Sequence, residues 1–148
     1  MLIQIIKQLL IRDLDKLKSE IEQYRDESKI WYTEKSIANS AGNLCLHLAG
    51  NLNTYIGTVF GKTNYVRNRD LEFSQKDVPR SQLLKMIDDT ILVVQQSLEK
   101  VNDAQLEEEF PLLIWQEKTS TAYVLMHLTT HLAYHLGQVN YHRRLLDS

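Results

Sequence analysis

The 148-residue sequence has little of what several protein classes need: one cysteine, two prolines, five glycines and no excess of positive charge. A single thiol cannot build a disulfide framework or a multi-cysteine zinc site, and it fits a reducing compartment. So few chain breakers argue against a turn-rich sandwich and for long helices. A formal charge of −2 without a Lys/Arg-dense stripe leaves nothing to neutralise a phosphate backbone, so nucleic acid is not an expected partner. No uninterrupted apolar run reaches the roughly 18 residues of a membrane span. The apolar start, MLIQIIKQLLIRDLDK, is broken by Lys7, Arg12 and Asp13 and leads to no small-residue cleavage site, so a signal peptide is not expected. Glycine-rich phosphate loops, catalytic-triad signatures and internal repeats are also missing. The expectation is a soluble cytoplasmic protein with one domain over residues 1–148.

What is abundant is histidine in one place. The stretch from Val124 to Leu146, VLMHLTTHLAYHLGQVNYHRRLL, holds four of the five histidines. Drawn as a helix, it puts Val124, Leu125, Leu128, Leu132, Leu136, Val139 and Leu146 on one arc. On the same wheel His127, His131, His142 and His135 fall at about 0°, 40°, 60° and 80°, a stripe on the margin of that arc. Histidines four residues apart stand one turn above the other with Cβ atoms about 5–6 Å apart, so both rings can reach one ion. Two such pairs exist, His127 with His131 and His131 with His135. His127 and His135 are about 12 Å apart along the axis, so one ion cannot take all three. A catalytic-type zinc site uses three protein ligands and an open position, and outside this helix only His47 remains as an imidazole donor. His142, alone at a core margin, reads as a packing residue.

Three more amphipathic segments precede the histidine helix. Ile3, Ile6, Leu10, Leu14, Leu17, Ile21 and Tyr24 mark a first helix. A connector bearing Trp31 and Tyr32 follows, its aromatics expected at a bundle end. The second helix is expected to start among Ser36 to Asn43 and to run to Phe60 before Gly61, with His47 beside the arc of Leu44, Leu48, Leu52, Tyr55, Ile56 and Val59. Cys45 lies within that arc, as an inert core thiol. The polar stretch GKTNYVRNRDLEFSQKDVPR reads as an extended loop. Its Arg67 and Arg69 could clamp a carboxylate or phosphate, and Asp70 and Glu72 could act as acids or as acceptors behind a ligand; mutual surface pairing of these charges is the plainer expectation. Asp77 and Pro79 suit the opening of a third helix along Leu83, Leu84, Ile87, Ile91, Val94 and Leu98. The segment from Asn102 to Ser120 is either extended or a capping loop, and Thr119 or Ser120 caps the histidine helix. Four amphipathic helices imply an all-α four-helix bundle, with a long loop between helices two and three that is compatible with a crossover.

The residues HLAYHLGQVNY (His131 to Tyr141), together with His47 in the second helix, resemble the HxxxHxGQ signature of the DinB and YfiT-like proteins, regarded as four-helix metalloenzymes. NLCLHLAGNL and YVRNRDLEF are similar to one uncharacterised subgroup, so the resemblance spans essentially the whole chain. It implies a divalent metal, nickel or zinc, held by His47, His131 and His135 with a position left for water. It also implies a thiol S-transferase using a low-molecular-weight thiol such as bacillithiol, mycothiol or glutathione on a small electrophile, or a small hydrolase, and a homodimer. Gln138 would orient a ligand or bridge to the loop, and Gly137 would let another backbone approach. No general acid or base is assigned. The alternative is a non-catalytic, metal-stabilised bundle that acts as a dimeric interaction protein.

Overall fold

A computed structural model describes Met1–Ser148 and is helical apart from one isolated β-bridge. Helix α1 spans Leu2–Gln23 and buries Ile3, Ile6, Leu10, Leu14, Leu17 and Ile21, the residues whose three-and-four spacing defines its apolar face. Helix α2 spans Ala41–Leu52 and continues through a π-helical segment, Asn53–Thr58. Its N-cap is Ser40, whose hydroxyl accepts from the Asn43 backbone N–H and relieves one donor of the first turn. The connection after it carries a helix of its own, α3 at Arg69–Ser74, which the expectation of an extended loop did not include. Two acidic residues in its first turn, Asp70 and Glu72, suit the positive end of the helix dipole. Helix α4 spans Arg80–Leu98 behind Pro79, and α5 spans Thr121–Leu146 behind the cap Ser120. The segment left open between extended and capping structure is both: a 3-10 turn at Asp103–Glu107, then an antiparallel bridge between Glu109 and Ser120 that leads into α5.

Four long helices pack around one core cluster of 28 buried residues. Helix α1 lies against α4 and α5, and α2 lies against the same two, so α1 and α2 occupy opposite corners. Pairings fix the directions. The Met1 amino group meets Asp103 beyond the end of α4, while Arg80 at its start donates to the Tyr24 carbonyl at the end of α1, so α1 and α4 are antiparallel. Asn53 meets Thr90 and Gly61 packs on Ser97, so α2 and α4 are parallel. Glu20 pairs with Arg143, and the Asp147 carboxylate accepts from the backbone N–H groups of Arg25 and Asp26, so α1 and α5 end together. Parallel neighbours cannot be joined by a tight turn, and the chain from Gly61 to Pro79 must travel back along the bundle, as a crossover does. That return path carries α3 across the outside of α2.

Candidate metal centre

His47, in the middle of α2, and His131 and His135, one turn apart on α5, converge where those two helices pack. One ligand atom from each lies within 4.8 Å of the other two, a group that could hold a metal ion. The Nε2 atoms of His47 and His131 are 3.2 Å apart, and the rings of His131 and His135 stand edge to face with centroids 4.6 Å apart. His47 is buried, and His131 and His135 are partly so. Burial disfavours the charged imidazole. It lowers the pKa of His47 against the opposing pull of Glu72, and together with the neighbouring His135 and His47 it lowers that of His131 to about 4. The His47 and His131 rings are thus neutral at pH 7 and offer lone pairs.

The partners of the other ring nitrogens decide where those lone pairs point. His47 Nδ1 is 3.0 Å from Glu72 Oε1, and His135 Nδ1 is 2.7 Å from Gln138 Oε1. Both oxygens are acceptors, so each Nδ1 carries the hydrogen and each Nε2 is left with its lone pair. For Gln138 this takes the amide oxygen as the atom that faces the ring. His131 Nδ1 is buried without any hydrogen-bond partner. If His131 carries its proton on Nε2 and donates to His47, an acceptor is orphaned at Nδ1. If the proton sits on Nδ1, two lone pairs confront each other at 3.2 Å and a donor is orphaned. A cation between the Nε2 atoms removes the repulsion, so the donor set fits a metal. Three neutral imidazoles are a common set for zinc and for other borderline divalent ions.

Glu72 comes from α3 and is 5% exposed. Arg67 grips it with two donors, Nε to Oε2 at 2.8 Å and Nη2 to Oε1 at 3.0 Å. The expected pairing of the loop charges is therefore found for Arg67 and Glu72, but it is buried rather than solvated and it reaches His47. The Arg67 fork is filled by Glu72, and Arg69 is exposed on the outside of α3. Phe73 packs on the His47 ring with centroids 5.0 Å apart. Two residues that sequence reasoning missed hold α3 in place. The Asn43 amide donates to the carbonyls of Glu72 and Gln75 at 2.9 and 2.8 Å. At Gly50, one turn along α2 from His47 and its neighbours, a Cβ would lie 1.9 Å from Glu72 Oε2. The cap-like run of Ser and Asn hinted at Asn43; nothing local hinted at Gly50.

The remaining candidates separate clearly. His142 is buried and bonded on both nitrogens, Nδ1 to the Tyr24 hydroxyl at 2.6 Å and Nε2 to the Tyr32 carbonyl at 2.8 Å, as a packing residue. His127 stacks on His131 at 5.9 Å and meets the edge of Trp115 at 4.8 Å, outside the three-residue group. Cys45 is fully enclosed, and burial pushes its thiol up to about 12. The expected backbone approach at Gly137 is not there: a Cβ at that position would meet nothing within 4 Å, because α5 turns this residue to the surface. A cavity of about 420 Å³ lies one turn further along α5, lined by Gln138, Tyr141, Leu44, Ile37 and their neighbours, with no Asp, Glu, Lys or Arg in its wall.

Fold and site together define an all-helical bundle with a three-histidine group able to hold a metal at the seam of two antiparallel helices. The chain belongs to the family described as "Protein of unknown function (DUF1572)", which it matches over residues 3–148. A solved structure described as a conserved protein from Enterococcus faecalis shares the fold, with a TM-score of 0.75, 17% identity, and coverage of 97% of this chain and 95% of that one. None of the curated proteins matches the sequence. No helix is long and apolar enough to cross a membrane.

Proposed function

We propose that this chain is a metal-dependent enzyme of the DinB and YfiT-like type, with His47, His131 and His135 as the ligands of one divalent ion, nickel or zinc. The observation that carries the reading is a group of three imidazoles with no fourth imidazole, thiol or carboxylate in it. Three protein ligands leave a coordination position open, the pattern of catalytic rather than structural sites. A divalent ion in such a set supplies a Lewis acid that lowers the pKa of a thiol or water brought to it. The chain's own residues do the rest. Glu72 and Gln138 hold the outer nitrogens of His47 and His135, and α3 with Phe73 closes the outer side of His47 against water.

The substrate proposed is a small electrophile, with a low-molecular-weight thiol as co-substrate. The uncharged cavity beside Gln138 suits a neutral, largely apolar molecule of that size. In the transfer, the thiol sulfur forms a bond to the electrophilic carbon, the leaving group departs with the bonding pair, and the thiol proton passes to solvent. Elemental analysis of protein purified without chelators, followed by bacillithiol, mycothiol and glutathione each assayed with a haloalkyl electrophile, tests the reading. One metal per chain and thioether formation are expected, and protein that takes up no nickel or zinc would remove it.

A homodimer is also proposed. The exposed face of α5 presents Tyr123, Met126, Ala133 and Tyr134 in a stretch with no Asp, Glu, Lys or Arg between Lys118 and Arg143, and Arg144, over the Tyr141 ring, marks its C-terminal edge. A two-fold axis lays a face on itself, and a face without charges meets no like charge when it does so.

A further inference from the structure

Among the groups around the three histidines, one ionisable side chain is buried and touches none of the space between them. Glu72 stands behind His47, on the far side of its ring. A buried carboxylate is costly to keep, so the structure around it shows what it is kept for. Arg67 supplies two donors, and the His47 N–H supplies a third to Oε1. Arg67 Nη2 also comes within 3.5 Å of His47 Nδ1, but two donors cannot bond each other, and both are served by the same oxygen. Oε2 occupies the space that a side chain at position 50 would fill, and Asn43 ties the α3 backbone down at Glu72 itself. Three residues from two segments, Arg67, Asn43 and Gly50, thus place one Glu72 oxygen at hydrogen-bond distance from one ring nitrogen.

We infer that Glu72 is a positioning residue: seated by Arg67, Asn43 and Gly50, it fixes His47 in the Nδ1–H tautomer and aims the Nε2 lone pair at the point shared with His131 and His135. The inference rests on the metal reading for its consequence, but not for its geometry. A ring free to take the other tautomer would present a hydrogen rather than a lone pair to an ion for part of the time. Outer hydrogen bonds of this kind typically change metal affinity by about 10–100-fold. The crossover gives the device a use beyond one bond: because Glu72 rides on α3, docking of the return segment and readiness of the ligand are one event.

The test uses full-length protein and zinc as the probe. Long-range ¹⁵N–¹H NMR on the metal-free protein reads the His47 tautomer, and competition against a chromophoric chelator reads zinc affinity. Wild type should show His47 as a single Nδ1–H tautomer. Glu72→Ala should give mixed tautomers and bind zinc about 10–100-fold more weakly. Glu72→Gln, which keeps an acceptor oxygen, should fold and recover most of the affinity. Gly50→Ala, which leaves Glu72 in the chain but fills its seat, should behave like Glu72→Ala. Glu72→Ala with wild-type tautomer and zinc affinity overturns the inference while leaving the metal centre standing. Wild type that binds no zinc removes the metal centre, and the tautomer measurement then judges Glu72 alone.

Discussion

His47 and His131 point their Nε2 atoms at each other from 3.2 Å, across a seam between helices whose sequence positions differ by 84 residues. Neutral imidazoles gain little from that arrangement, since one nitrogen of His131 stays buried and unpartnered whichever tautomer it takes. The cost makes sense when an ion sits between them.

Replacing His131 with alanine should therefore abolish stoichiometric nickel or zinc and leave a helical protein. The side chain is only partly buried, and the core cluster does not include it. Metal-to-protein ratio and far-ultraviolet circular dichroism are the readouts; a retained one-to-one ratio would show that the ligands lie elsewhere.

His142 predicts the opposite pattern. Its removal strands the buried Tyr24 hydroxyl and the Tyr32 carbonyl, and a buried polar group left unpaired costs about 1–3 kcal/mol. His142→Ala should lower stability in urea titrations by at least that order and leave metal content unchanged. Loss of metal at wild-type stability would contradict its assignment to packing.

Acid should destabilise the metal-free protein in a defined window. Burial lowers the folded-state pKa of His131 to about 4 and lowers those of His47 and His142, all from an ordinary value of 6.5. Between the folded and unfolded values the unfolded chain binds more protons, so stability is whole above about 6.5 and falls as pH drops toward about 4. Protons compete with metal for the same nitrogens, so affinity should fall in the same direction. Denaturant midpoints measured with chelator at stepped pH check this, and a flat profile from 7 to 4 would count against the burial assigned to these rings.

Cys45 should be silent in the folded state. Burial raises its thiol to about 12, and a thiolate is needed for attack on a disulfide reagent. Native protein should show no reaction with Ellman's reagent on the timescale of a denatured control that releases one equivalent. Rapid native reaction would mean that the α2 core opens.

The α5 face can be probed at Ala133, which is exposed and outside the histidine group. Wild type should sediment as a dimer and Ala133→Glu as a monomer with unchanged metal content. A wild-type monomer at the highest soluble concentration would dispose of the dimer.

Periodicity in the sequence by itself determined the four long helices, their apolar faces and two candidate histidine pairs, His127 with His131 and His131 with His135, because neighbours at three and four residues follow from helical rise and rotation alone. The resemblance singled out His131 with His135 and joined them to His47, the one histidine outside that helix, and the long polar stretch after α2 was legible as a possible crossover. What the chain's order could not decide is which charges become buried. Arg67 and Glu72 look like surface residues in a polar run, and Gly50 looks like any helix glycine. Only the parallel packing of α2 and α4 forces the return segment across α2, and only there do Glu72, Gly50 and His47 share one space. Likewise His142 and His135 share a stripe on the wheel, yet one of them bonds the end of α1 and the other converges with His47 of α2. Their separation is decided by what lies across the helix seam, which no local spacing encodes.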